Sequence, residues 1–489
     1  MKFEDILLSS YFDYNSLVNQ QIKSYNNFIE HKMQEIVDNV GVIETNVEGF
    51  SIRLGKIRVE PPKFYEVTSS PRIVLPTEAK IRNITYSSPV RLAMIPSYNG
   101  IEKKMYSDVY IGDIPVMVKS NLCHTSRMSK EELIDYGLDP MDPGGYFIIN
   151  GTERVLISLE DLVPNKILVT LNDDGTIISK IFSKRNNFRA RTVVRRSKEG
   201  IWYVEFPAIP VGIMLLTLIR ALGFEKDSDI IDLFEIERHC VENDLYYNLD
   251  NLKGKDERPD EYLAKRISPG QPKEYQLNRM NYVIDNYLLP HLGIEAKDRK
   301  KKAVFLVRMA KRATLLYNKK LLPDDKDFYG NKRIKLAGDL MVELFNYAFN
   351  FLVKDIIYQV SRANVRGRKL QVHTLVRQNA LTDRILYSMA TGNWIAGQTG
   401  VSQLLDRVSF VSSLSHRRRL ISPLSKKHPH FKARDLHGTQ YGRICPSETP
   451  EGPPTSLVKN FALLSELSSG TDEESVERII REIGIEEVE

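Results

Sequence analysis

Between Arg407 and Arg443 the chain carries nine Lys or Arg against one acid, Asp435, with His416, His428, His430 and His437 among them. A polyphosphate backbone asks for such a stripe, because each neutralised phosphate releases condensed counterions. Ordinary solvated faces also carry charge runs, so composition alone leaves both readings open. The stretch "SLSHRRRLISPLSKKHPHFKARDLH" alternates short apolar pairs with cations and loop formers, a pattern of ordered loops presenting charge. Seven residues further on comes "CPSETPEGPPTSL", where Pro446, Pro450, Pro453 and Pro454 stiffen a loop that offers the hydroxyls of Ser447 and Thr449. Glu448 and Glu451 place two carboxylates three residues apart beside the basic run. Alone, this stretch reads as a proline-rich turn at a domain edge; next to "RDLHGTQYGRIC" it becomes a candidate site.

Other chemistries find less support. His428 and His430 flank one proline, and no Cys or carboxylate follows at a spacing that would complete four metal ligands. Asp324, Asp325 and Asp327 in "PDDKDFYGN" have the oxygen ligands a hard cation wants, but with Gly330 and Asn331 following, a turn between domains is the plainer reading. The chain has no phosphate-binding G-x-x-x-x-G-K-[ST] loop, no G-x-G-x-x-G after a strand, no H-E-x-x-H and no G-x-S-x-G. Cys123, Cys240 and Cys445 form no CxxC pair, which fits a reducing compartment and suggests neither a disulfide framework nor a zinc site.

The elements that must position these residues follow from pattern. A length of 489 residues allows roughly three domains. With 42% apolar and 27% charged residues the composition is that of a globular chain, and the net charge of +6 is mild. The start "MKFEDILLSS" lacks a basic n-region, and the apolar run at 211–219 is too short to span a bilayer, so a cytoplasmic protein without a membrane anchor is expected. Apolar residues recur at three and four over 14–39, predicting a helix. Short β-type runs fill 41–117, and "DPGGYFIINGTERVLISLE" predicts two strands joined by a turn at Asn150 and Gly151. Over 166–206 alternating strands carry Lys184, Arg185, Arg189, Arg191, Arg195, Arg196 and Lys198. Helical periodicity follows through "GIMLLTLIRALGF" and 303–317, with a polar, loop-like stretch at 253–273, and returns at 336–361 and 381–389. Residues 471–489 hold eight acids and two arginines. Thr471 and Glu474 suit a capping box, and Val476, Ile479, Ile480 and Ile483 fall on one stripe. That stripe could pack on its own domain or on another polypeptide.

"RDLHGTQYGRICPSETPEG", followed by "LVKN", resembles the fork region of the second-largest subunit of multisubunit DNA-directed RNA polymerases. "ATGNW", "TGVSQLLDR" and "SSLSHRRRL" precede it in that family's order, and "LVNQQIKSYNNFI", "GDIPVMVKS", "GGYFIINGTERVLISLE" and "DDKDFYGNKRIKLAGDL" match further blocks upstream. The resemblance covers nearly the whole chain. It implies an α+β, multidomain fold: a discontinuous protrusion at 1–163 and 321–382, a lobe inserted at 164–320, a fork at 383–470 and an acidic terminal helix at 471–489.

The same resemblance implies function. Residues 402–420 would line the RNA path, and 422–432 would form the fork loop near the downstream edge of the bubble. Glu451 would lie near the RNA 3′ end and the incoming nucleotide, with Glu448 beside it and Arg434 close to the active centre. Nucleic acid would be held by Gln403, Arg407, His416, Arg417, Arg418, Arg419, Lys426, Lys427, Lys432 and Arg443. Pro453 and Pro454 stand where the family usually has small or polar residues. The family's magnesium-binding "NADFDGD" motif belongs to the largest subunit and does not occur here. The chain would therefore bind no cofactor, contribute no catalytic residue and polymerise only within a complex, where Mg2+ is held by the largest subunit. The expected partners are a separate B′ polypeptide supplying the rest of a split subunit, the largest-subunit polypeptides A′ and A″, other polymerase subunits, template DNA and nascent RNA. A stand-alone nucleic-acid-binding or assembly factor on the same scaffold is the alternative.

Overall fold

The computed structural model describes residues 3–14, 16–64, 72–172, 174–185, 188–234, 238–252, 258–425, 427–468 and 473–484. Lys426, Thr471 and the side chain of Glu474 lie outside the described part. The fold is mixed α and β, and the chain divides into two compact units, Met1–Asp161 with Ile334–Glu489, and Leu162–Arg333.

In the first unit the helix Ala337–Val365 is the central beam. Leu340, Leu344, Ala348, Leu352, Ile356 and Val360 recur every four residues and are all buried, with Met341, Phe345 and Phe349 beside them on the same stripe. Its first turn has orphan N–H groups that need partners. Ala337 N–H donates to Gln21 Oε1 at 2.9 Å, Gly338 N–H to Ser24 Oγ at 3.0 Å, and Leu336 N–H to Asp339 Oδ2 at 3.0 Å. Gly338 is required by this docking, because a Cβ there would lie 2.0 Å from the Ser24 carbonyl oxygen. The predicted helix over 14–39 is Asn19–Asn27 running through a π turn, Phe28–Lys32, into Met33–Val40; a further helix, Phe3–Tyr14, precedes it. Where it meets the beam, Tyr25 lies tilted against Phe28 and edge to face with Phe147, and Phe28 lies edge to face with Phe345.

An antiparallel sheet, Val42–Glu44, Phe50–Val59 and Ser87–Tyr98, with Ile101–Glu102 and Tyr106–Pro115 both pairing Ser87–Tyr98, packs its apolar face on the same core. The predicted hairpin is present: Phe147–Ile149 pairs Thr152–Leu156, and Asn150 and Gly151 both take positive φ, as a two-residue turn of this hand requires.

The second unit opens with five antiparallel strands in sequence order, Leu168–Leu171, Ile177–Arg185, Phe188–Arg196, Trp202–Phe206 and Ile209–Met214. Helices close over one face, the longest being Arg299–Tyr317. Trp202 is fully buried, stacked on Phe234, and donates through Nε1 to Thr314 Oγ1 at 3.2 Å. Arg196, one of the expected basic set, is buried in a two-pronged ion pair with Asp244 at 2.6 and 2.8 Å. Two local expectations change. "GIM" ends a strand before the helix Leu215–Ala221 begins, because Ile213 alternates inward with the sheet. The polar stretch expected to be loop contains the helix Pro259–Ile267, started by Pro259 and by Asp260 and Glu261 in its first turn.

Candidate nucleic-acid interface

The fork segment is built onto the hairpin. Strand Ser402–Leu404 pairs antiparallel with Thr152–Leu156; strand Arg419–Ile421 pairs parallel with Ser158–Leu162 and antiparallel with Val458–Asn460. Between them runs the helix Phe410–Arg417, capped by Ser409, whose Oγ accepts from Ser412 N–H at 3.1 Å. Gln21 ties three parts together: besides accepting from the beam, its Nε2 donates to Ser158 Oγ at 2.8 Å and to the Arg417 carbonyl at 3.3 Å.

The cations separate into two layers. In the inner layer Arg417 is 1% exposed and donates to Asp142 Oδ1 at 3.1 Å. Arg407 donates to Asp142 Oδ2 at 2.9 Å and to both Glu153 oxygens at 2.6 and 3.0 Å, and both guanidiniums lie over the Tyr146 ring. Burial alone would raise the Asp142 carboxyl, but Arg417 and Arg407 hold it below its ordinary range, so it stays ionised. Gly144 shapes this acid's loop: its N–H reaches Asp142 Oδ1 at 3.1 Å, its φ is positive, and a Cβ would sit 2.5 Å from the Val118 carbonyl. Arg418 is buried with its donors on the carbonyls of Leu17 at 2.6 Å and Ala462 at 2.7 Å. Lys459 and Glu160 form a buried ion pair at 3.1 Å.

His416 belongs to the same layer. Its Nδ1 accepts from Asp406 N–H at 3.1 Å, so its Nε2 carries the proton and donates to Gln403 Oε1 at 3.0 Å. Burial, with the Arg419 and Arg417 charges nearby, pushes the imidazole down to about 4.

The outer layer holds Lys427, Lys432 and Arg443, all exposed and without an ion-pair partner among the described residues. Arg419 is half-buried, as is Arg434, which clamps the proline-rich loop by donating from Nη1 to the Thr455 carbonyl at 2.6 Å. That loop is braced from within: Thr449 Oγ1 donates to the Val458 carbonyl at 3.0 Å and accepts from Ser456 N–H at 2.8 Å. Glu448 and Glu451 are exposed on it, and Glu448 accepts a hydrogen bond from the Ser415 hydroxyl.

The ten residues expected to hold nucleic acid therefore occupy different positions. His416, Arg417 and Arg418 are interior and engaged with protein groups, Gln403 orients His416, and Arg407 is neutralised by two acids. Lys426 lies outside the described residues. Sequence reasoning passed over Gln21, and it passed over the large exposed side chains among the surface cations: Phe410, Phe431, Leu436, and Val408 and Tyr441, both 91% exposed. Their signal was apolar residues in a loop-forming stretch, where no helical or strand period called for them. Among the described residues no group of three or more His, Cys, Asp or Glu could hold a metal ion. Asp324 caps the Val169 N–H at 2.7 Å, and Asp325 accepts from Asp327 N–H at 2.8 Å, so these acids shape a turn.

Comparison with known proteins decides the family. The sequence pattern described as "RNA polymerase beta subunit" matches residues 16–383, and "RNA polymerase Rpb2, domain 3" matches 403–467. The protein belongs to the RNA polymerase beta subunit family. It is a second-largest-subunit polypeptide of DNA-directed RNA polymerase, which removes the stand-alone factor as an alternative. It is 46% identical to "DNA-directed RNA polymerase subunit Rpo2N" of Methanococcus vannielii and 47% identical to that of Methanocaldococcus jannaschii, each over 98% of both chains. It is 45% identical to "DNA-directed RNA polymerase subunit Rpo2" of Saccharolobus solfataricus over 99% of this chain but 43% of that one. Being a polymerase subunit, it works within a multisubunit complex on nucleic acid. No described helix is long and apolar enough to cross a membrane.

Proposed function

We propose that this polypeptide is the N-terminal half, B″, of an archaeal second-largest subunit, completed in the cytoplasm by a separate B′ polypeptide and by the largest-subunit polypeptides A′ and A″. Near full-length likeness to Rpo2N proteins, together with coverage of 43% of an undivided Rpo2, supports this division. Protrusion (1–163 and 321–382), lobe (164–320), fork (383–470) and acidic terminal helix (471–489) are the parts assigned; the discontinuity of the compact unit around 162–333 supports the inserted lobe. The metal chemistry of nucleotide addition is assigned to the largest subunit, an assignment supported by this chain's membership of the second-largest-subunit family.

The fork's task in this reading is to hold melted strands and nascent RNA. The observation that carries it is the outer layer: Lys427, Lys432 and Arg443 with no ion-pair partner among the described residues, interspersed with exposed Phe410, Phe431 and Tyr441, on a base immobilised by buried ion pairs. Cations follow a phosphate backbone and aromatic faces stack on bases without reading sequence. Glu448 and Glu451 on the braced loop, and Arg434, which clamps it, are assigned a place near the active centre. Val476, Ile479 and Ile480 on the helix Glu473–Glu482, and Ile483 just after it, are exposed and are assigned to contact with B′. Purification from native extract through a tag on this subunit, with mass spectrometry and nucleotide incorporation on a DNA template, tests the reading. Stoichiometric B′, A′ and A″, with activity in the complex and none in the isolated subunit, is the expected result. Recovery of the subunit alone would overturn it.

A further inference from the structure

The beam Ala337–Val365, the helix Asn379–Thr391 and the turn Ile395–Gly397 enclose a cavity of about 650 Å³, and none of its lining residues is among those expected to hold nucleic acid. Tyr347 and Phe351, one turn apart on the beam, and Tyr387 on the second helix are exposed at its rim, while Trp394 is 5% exposed at its base. The Arg384 guanidinium lies 3.5 Å from the Phe351 ring centre and donates from Nη1 to the Tyr347 hydroxyl at 3.2 Å.

Charge and polarity narrow the occupant. The lining has two arginines, Arg377 and Arg384, and two acids, Asp355 and Asp383, so no net field draws a polyphosphate. Trp, Tyr and Arg together are the side chains that dominate binding energy at protein–protein contacts. Three polar atoms of the lining are shielded from water and have no partner among the described residues: Trp394 Nε1–H and Arg384 Nε–H, both donors, and Asp355 Oδ2, an acceptor. Each such orphan is costly to leave unpaired, and a peptide group supplies the complement, a carbonyl oxygen and an N–H.

We propose that this cavity receives a short extended segment of a partner protein. One apolar or aromatic side chain of the segment sits among Tyr347, Phe351 and Tyr387, and its main chain satisfies Trp394, Arg384 and Asp355. Because those three atoms are shielded in the free protein, entry is coupled to small side-chain rotations of Arg384 and Trp394.

The full sequence has two tryptophans, Trp202 and Trp394, so 5-fluorotryptophan labelling gives one fluorine resonance in the cavity and one in the core of the other unit. The Trp394→Phe variant assigns them. The blocked tripeptide acetyl-Ala-Phe-Ala-amide should shift the Trp394 resonance saturably and leave Trp202 unmoved, while acetyl-Ala-Lys-Ala-amide and AMP should shift neither. Asp355→Asn should weaken the response about tenfold, as loss of a hydrogen bond to a charged acceptor does. Tyr387→Ala, at an exposed position that leaves the core intact, should weaken it as well. A silent Trp394, a response to AMP, or a peptide response indifferent to both variants with Trp202 unchanged would each overturn the proposal.

Discussion

The fork carries two sets of cations with the same chemistry and opposite surroundings. Arg417, Arg418 and Lys459 are buried against Asp142, main-chain carbonyls and Glu160, whereas Lys427, Lys432 and Arg443 stand in solvent with no acid paired to them among the described residues. A buried charge must be matched by a fixed partner or the fold fails, so the inner set sets geometry. An exposed, unmatched charge contributes little to folding and remains available to a phosphate. Residue type alone does not distinguish these tasks; the partner does.

The largest effect should come from breaking an inner pair. Lys459→Met leaves the Glu160 carboxylate buried without its cation and should cost about 3 kcal/mol, read as a lower denaturation midpoint of the full-length protein. The double variant Lys459→Met with Glu160→Leu should recover most of that loss, since a hydrophobic pair of similar volume replaces a buried ion pair at little cost. Arg417→Met should cost less, about 2 kcal/mol, because Arg407 still neutralises Asp142.

Acid sharpens the comparison through His416. Its folded value of about 4 lies below the ordinary 6.5, so the fold favours the neutral ring. The stability this contributes is fully present above the ordinary value and is lost as pH falls from 6.5 towards 4, because the unfolded state takes the proton first. The loss should be at most about 1.4 kcal/mol per pH unit in that window, and His416→Gln should flatten it in thermal unfolding followed against pH.

Much of this arrangement is legible in the sequence. The beam's apolar spacing, the Asn150–Gly151 turn and the proline-rich loop all follow from local rules that need no knowledge of distant partners. The burial of Arg417 does not, because an arginine in a basic run reads as surface until Asp142, 275 residues away, closes on it. Gln21 was hidden for the same reason: two glutamines in a helical pattern look like solvent residues, and only the meeting of the beam, Ser158 and Arg417 gives one of them its partners. The helix Pro259–Ile267 shows the converse, a charged stretch whose start signal outweighed its polarity.

The smallest effect on folding should accompany the most direct test of function. The triple variant Lys427→Ala, Lys432→Ala and Arg443→Ala should change stability by no more than about 0.5 kcal/mol per site. The decisive measurement is the lifetime of elongation complexes, formed by polymerase reconstituted with this variant, as a function of salt concentration. The account predicts a shorter lifetime and a shallower salt dependence, by about one unit of logarithmic slope for each phosphate contact removed. An unchanged lifetime and slope, in a complex whose assembly and unfolding match those of the parent, would contradict the division of the fork into a structural inner layer and a nucleic-acid-holding outer one.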